Sequence, residues 1–337
     1  MAEAMLPPFI QFMLQPEIYP HPVSEVTLVQ THISYVLLAG DYVYKIKKPV
    51  DFGFLNFTTL EKRRHFCEQE LVLNRRLCPD LYLGLATVTQ EGDTFALDGA
   101  GVPVDYAVKM ARMPEEAMMA KAIARGEVTE STLDAIVDLL VPFYEKADGG
   151  EQIKEFGTAK AVSVNVLENF EQTQGFIGCP ALSQAQFDAI SSYARDFLGK
   201  QDLFASRIQA GRVRDCHGDL YSANICLADE IYIFDCIEFN QRFRYCDVAS
   251  DVAFLAMDLD FHGLAPLSDY FISRFCGASG DSDLKKMLNF YKCYRAYVRG
   301  KIGLFTAHAP EVDEVTKQGC FAQAKKYFEL AERYATA

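Results

Sequence analysis

Residues Arg212–Asp235 read RVRDCHGDLYSANICLADEIYIFD, and this stretch decides the fold. It holds His217, Gly218 and Asp219, then Asn224 five residues on. Two short apolar runs follow around a turn at Ala228, Asp229 and Glu230, and the second run, IYIF, delivers Asp235. A carboxylate, an amide and a second carboxylate in this order, on a loop and a hairpin, match what phosphoryl transfer asks of a protein. There is little covalent work to do, so one carboxylate orients the attacking hydroxyl while an amide oxygen and another carboxylate bind the divalent metal that bridges the phosphates. Asp219, Asn224 and Asp235 fit those three roles in that order. A rival reading makes His217, Asp219 and Asp235 ligands of a hydrolytic metal centre, but no second histidine lies nearby.

HGDLYSAN followed by IFD resembles the catalytic segment of the aminoglycoside phosphotransferase family, within the protein-kinase-like superfamily. Residues 41–77 and 212–258 also resemble a bacterial subfamily of those enzymes in which the domain is sometimes fused to a P-loop ATPase. The chain contains no G-x-x-x-x-G-K-[ST], so the P-loop partner is expected to be absent from it. The resemblance implies a bilobal α+β fold. A small antiparallel-sheet lobe over residues 1–111 would bind nucleotide, and a large, mainly helical lobe over 112–337 would carry catalysis and substrate. It implies ATP and Mg2+ as cofactors, Asp219 as the catalytic residue, and Asn224 and Asp235 as the metal ligands. It further implies that Asp251, in DVA, braces the catalytic loop, and His217 is read as a brace too. The role of Glu238, three residues after Asp235, stays open between a second metal and a substrate contact.

The first hundred residues fit a sheet lobe. After a Pro-rich leader over 1–24, EVTLVQ, ISYVLLAG and YVYKIK are apolar, β-branched runs with a turn at Gly40 and Asp41, the pattern of an antiparallel meander. Strand alternation puts Tyr44 and Ile46 on one face and Val43, Lys45 and Lys47 on the other. Lys45 resembles the strand lysine that meets the α- and β-phosphates in this superfamily, with Lys47 and Lys48 as rivals. The turn at Thr31–Ser34 would lie over the phosphates in such a lobe. It lacks a G-x-G-x-x-G, so contacts there fall to backbone N–H groups or to Ser34. Thr58 and Glu61 have capping-box spacing for a helix that Pro79 ends. In that helix Glu70 has Phe66, Cys67, Leu73 and Asn74 three and four residues away, so its carboxylate lies on a mainly apolar face and needs a partner. Lys45 is the natural one. The basic run Lys62, Arg63, Arg64 reads as a solvated face. By position, Met110 and Met113 bracket the hinge where backbone groups would meet an adenine edge.

Composition sets the bounds. The 337 residues are long enough for two lobes, and 50% hydrophobic with 23% charged residues is an ordinary globular balance. No apolar run approaches the roughly 20 residues that span a bilayer, and MAEAMLPPF lacks the basic region of a secretory signal. The expectation is a cytoplasmic protein without a membrane partner. The formal net charge of -13 disfavours nucleic acid and accords with a small, amine-bearing substrate. Of ten cysteines, Cys216, Cys226, Cys236 and Cys246 fall ten residues apart, yet no C-x-x-C or Cys/His ligand spacing occurs. They read as small buried residues of a reducing compartment.

After Pro114 the chain reads helical, with amphipathic runs near 115–125, 131–147, 158–173, 184–198 and 201–209. Ser131 with Asp134 and Ser183 with Gln186 are start signals for two of them. Arg295 and Arg299, in a long C-terminal helix, are read as lining the cleft. Two further function classes stay open on this scaffold: a protein kinase or nucleotidyl transferase, and a nucleotide-binding regulatory module without turnover.

Overall fold

The structure, a computed structural model, describes residues 6–309 and 312–337, so the first five residues of the leader lie outside it. The chain forms two compact units, one of residues 1–118 with 226–241 and one of residues 119–225 with 242–337.

The first unit is built on a six-stranded antiparallel sheet. Its strands are β1 (Val26–Gln30), β2 (Ser34–Ala39), β3 (Tyr42–Lys47), β4 (Tyr82–Glu91), β5 (Thr94–Leu97) and β6 (Val102–Ala111), in the order β1-β2-β3-β6-β4-β5. The turn between β2 and β3 requires Gly40. Its φ is +59°, and a Cβ there would stand 2.6 Å from the Pro22 carbonyl oxygen. Alternation along β2 and β3 divides the sheet between two apolar clusters. Leu37, Ala39, Tyr44 and Ile46 face one, where α1 (Pro8–Phe12) of the leader contributes Ile10. The other face carries Tyr106 and Val108 of β6 and Tyr82 of β4, packed with Cys67 and Leu71 of α2 (Leu60–Asn74).

Helix α2 starts later than expected. Its N-cap is Thr59, whose hydroxyl accepts from the Lys62 N–H at 3.3 Å, because Thr58 is already engaged with Asn56 in the preceding turn. Arg63 is not on a solvated face. It is buried and donates to both carboxylate oxygens of Asp105 on β6 at 2.9 and 3.1 Å, a partner 42 residues away that helix periodicity does not reveal. The neighbouring Arg64 is exposed and pairs with the half-buried Glu68 at 2.9 Å.

The second unit is mainly helical. In chain order its helices are α3 (Met119–Ala124), α4 (Glu130–Lys146), α5 (Glu151–Lys154), α6 (Ala159–Thr173), α7 (Gln184–Leu198) and α8 (Gln201–Gln209). After the short α9 (Gln241–Arg244) come α10 (Val248–Phe261), α11 (Ala265–Ser279), α12 (Leu284–Ala307) and α13 (Glu314–Thr336). Ser183 and Gln186 form the expected capping box on α7, whereas α4 is capped by Thr129 with Thr132 instead of Ser131 with Asp134. Nearly every residue of α10 is buried, because α11 and α12 both pack on it. Two short pairings complete the chain: β7 (Val213–Asp215) with β10 (Tyr245–Asp247), and β8 (Ile225–Leu227) with β9 (Ile231–Ile233). Among the described residues, no helix is long and apolar enough to cross a membrane. The architecture is α+β, an antiparallel-sheet lobe and a larger helical lobe.

Candidate active site

In the sheet unit the register aligns the polar candidates. Ser34 pairs with Lys47, Val36 with Lys45, Lys45 with Val108 and Val43 with Met110. Directly opposed residues share a face, so Ser34, Lys45, Lys47 and Met110 all project from the side of the sheet that α2 covers. Met110 and Met113 both pack against the apolar cluster there. Ser34 is 1% exposed, and its hydroxyl is one of the buried polar atoms that has no hydrogen-bond partner among the described residues.

Lys45 lies between two carboxylates, with its ammonium 2.8 Å from Glu70 Oε1 and 2.5 Å from Asp235 Oδ1. Glu70 is fully buried and its second oxygen accepts from Lys47 Nζ at 2.7 Å. Lys47 also pairs with Glu238 and stands over the Phe57 ring, 4.9 Å from its centroid. Burial alone would raise the Glu70 carboxyl, but the two ammonium groups outweigh it and hold that carboxyl down at about 2. Glu238 moves the other way. Burial raises it, and Lys47 only partly offsets this against the added charge of Glu70. The difference is physical, since Glu70 sits between two cations whereas Glu238 directly meets one. Burial would lower the Lys45 ammonium, yet Asp235 and Glu70 together carry it well above its ordinary value.

Asp235 takes a left-handed backbone, φ +63°, which side-chain-bearing residues rarely adopt. Two non-local hydrogen bonds hold it there. The Asp235 N–H donates to the Tyr82 hydroxyl at 3.2 Å, and the next N–H, of Cys236, donates to Asn74 Oδ1 at 2.8 Å. A strained residue pinned on both sides, with its carboxylate 42% exposed, has the character of a functional position.

In the helical unit the HGD loop is tied down from beneath. Asp251, in the first turn of α10 and fully buried, accepts from the His217 N–H at 2.7 Å, the Gly218 N–H at 2.8 Å and the Tyr144 hydroxyl at 3.1 Å. Gly218 has φ +88°, a conformation that opens to glycine without strain. His217 Nδ1 accepts from the Asp219 N–H at 3.3 Å, so the imidazole acts within the loop as a brace. Arg295 is buried under the loop instead of lining an open surface, and donates to the Gly218 carbonyl at 2.9 Å. Arg299 likewise packs over the Tyr221 ring at 4.7 Å.

Asn224 donates its amide N–H to Asp219 Oδ2 and to the Asp219 carbonyl, both at 2.9 Å. That orientation leaves Asn224 Oδ1 as the acceptor end of the amide. Taken separately, the Asn224 amide oxygen in the helical unit and the part-exposed Asp235 carboxylate in the sheet unit are each the kind of oxygen donor that a hard divalent cation such as magnesium takes. Sequence names Lys47 only as a rival of Lys45, and assigns no role to Asn74 or Tyr82. Lys47 and Tyr82 have only strand alternation as a signal, and Asn74 has its place one turn after Glu70.

The chain has the protein-kinase-like fold, in which a sheet lobe carrying a strand lysine and helix glutamate accompanies a helical lobe carrying the acidic loop. A choline/ethanolamine kinase family protein from Mesorhizobium loti matches it with a TM-score of 0.51 over 94% of this chain and 93% of that one, at 13% identity. An ethanolamine kinase of Plasmodium vivax matches with a TM-score of 0.50 over 93% of this chain and 81% of that one, at 12% identity. By sequence, uncharacterized proteins of Mycobacterium tuberculosis and Mycobacterium bovis are 35% identical over 287 residues, which is 84% of this chain. The match spans 56% of the length of those relatives. No family model matches.

Proposed function

We propose that this protein is an ATP- and Mg2+-dependent phosphotransferase that acts on a hydroxyl of a small molecule. The observation that carries the reading is Lys45 held between the buried carboxylate of Glu70 and the part-exposed carboxylate of Asp235. A lysine so placed is fully charged and aimed, and presents its ammonium to phosphate oxygens without first being ordered. The sheet lobe takes the nucleotide, with Ser34 on the face that meets phosphates and Met110 and Met113 at the strand exit that meets the base. Asn224 and Asp235 would hold magnesium, which would supply neutralising positive charge to the phosphates. Asp219 orients the acceptor hydroxyl and receives its proton. The acceptor oxygen bonds to the γ-phosphorus as the bond from that phosphorus to the β–γ bridging oxygen breaks, and ADP leaves.

An amine-bearing acceptor suits the formal charge of -13, and the two relatives in fold are named for choline and ethanolamine. The ten free thiols suit a reducing cytoplasm.

The test is a thermal shift with ATP, with and without magnesium, on the wild type and on Asp235→Asn, followed by a screen of amino alcohols and amino sugars for ADP release. A ligand at 100 times its Kd adds about 2.7 kcal/mol, a shift of several degrees. A magnesium-dependent shift lost in the variant supports the reading. No shift at millimolar ATP refutes it.

A further inference from the structure

Five charged side chains of the sheet unit alternate in sign in one unbroken series: Asp235, Lys45, Glu70, Lys47, Glu238. The series closes on itself, because Asp235 and Glu238 are three residues apart in one segment. One end is wet, with the Asp235 side chain 42% exposed. The other is dry, with the Lys47 and Glu238 side chains 1% and 5% exposed. The Lys45–Glu70 half belongs to the kinase reading above, but that reading uses neither Lys47 nor Glu238.

Resting on that reading, we propose that Lys47 and Glu238 are positioning residues for magnesium-nucleotide binding, which keep Glu70 aimed at Lys45 and fix the segment that presents Asp235. The argument is one of competition. Glu70 has two oxygens, one on each lysine at 2.8 and 2.7 Å. Lys47 accepts this half share only because Glu238 supplies its other carboxylate. Without Glu238 the buried Lys47 ammonium has Glu70 as its remaining carboxylate and draws it away from Lys45. Were Asp235 to hold a metal, its carboxylate would be shared and Lys45 would rely more on Glu70, so the loss would be felt most in the bound state. The Lys47–Glu238 contact also ties residues 235–238 to β3, which helps to hold Asp235 at its strained φ of +63°.

The experiment is calorimetric titration of magnesium–AMP-PNP into the full chain, with melting temperatures measured beside it. The proteins are the wild type, Lys47→Met, Glu238→Gln, the double variant, and Glu238→Asp. Each single neutralisation leaves an unmatched buried charge and is expected to lower both stability and affinity. The double variant has no unmatched charge from this pair. It is expected to recover most of the melting temperature while its affinity stays at least tenfold below wild type. Glu238→Asp, which keeps the charge but shortens the reach, is expected to lose affinity severalfold with little change in melting, and it decides the matter if the double variant does not fold. A stable double variant or Glu238→Asp that binds like the wild type overturns this inference and leaves the kinase reading standing. A wild type that does not bind magnesium–AMP-PNP overturns both.

Discussion

Replacing Glu70 by glutamine tests the centre of the site without changing its shape. Both carboxylate oxygens are in use, on Lys45 at 2.8 Å and Lys47 at 2.7 Å, so the amide NH2 of glutamine must face one ammonium, donor against donor. The carboxyl is held down at about 2 from an ordinary 4.5. At roughly 1.4 kcal/mol per pH unit this corresponds to about 3 kcal/mol, at the low end of the ~3–5 kcal/mol lost when one partner of a buried ion pair is removed. Burial is complete, so solvent screening does not reduce the figure. The sign follows from the depressed value. Glu70 contributes its full stabilisation above pH about 4.5 and loses it as pH falls toward about 2. Glu70→Gln should therefore be about 3 kcal/mol less stable than wild type at pH 7, roughly 5–10 °C in Tm. The gap should close on acidification, because the variant has no carboxyl to protonate there. The chain has no tryptophan, so far-ultraviolet circular dichroism is the suitable probe of urea and thermal unfolding. Comparing the two proteins at each pH cancels, to first order, the other carboxylates that titrate in the same range. A variant within 1 kcal/mol of wild type at pH 7, or a gap that persists unchanged below pH about 3, would refute the reasoning.

Two further outcomes follow from the backbone and from the loop brace. Asparagine tolerates a left-handed φ and alanine does not, so Asp235→Asn and Asp235→Ala should both lose magnesium-dependent nucleotide binding, while only the alanine variant carries an added strain of about 1–2 kcal/mol. Equal stability of the two, by urea unfolding, would mean that the strain is relieved elsewhere. Asp251→Ala leaves the His217 and Gly218 N–H groups and the Tyr144 hydroxyl without their acceptor, which at ~1–3 kcal/mol per buried unsatisfied group should cost several kcal/mol. Its phosphoryl transfer should fall by more than its nucleotide affinity, and hydrogen exchange at His217 and Gly218 should rise. Unchanged protection at those amides would remove Asp251 as the brace.

Local chemistry made much of this protein legible before any coordinates. The meander over β1 to β3 and the helices α4, α6, α7 and α8 are periodic patterns that short-range sterics and burial enforce, so they fall close to where alternation and 3.6-residue spacing put them. Glu70 is a carboxylate on an apolar helix face, and its need for a cation is evident from its neighbours. The order of Asp219, Asn224 and Asp235 is likewise visible in the sequence, and the roles proposed for them start from that spacing. Tertiary structure decided what depends on partners far along the chain. It selected Lys47 as a second buried cation, gave Glu238 its contact with that lysine, and drew Arg63 inside to Asp105. It also turned Arg295 beneath the HGD loop and set Asp235 in a left-handed conformation between Tyr82 and Asn74. The physical reason is common to all of these. A charged side chain is buried only where compensating groups converge on it, and a strained φ persists only where distant hydrogen bonds hold it, and neither convergence is written in the residues nearby.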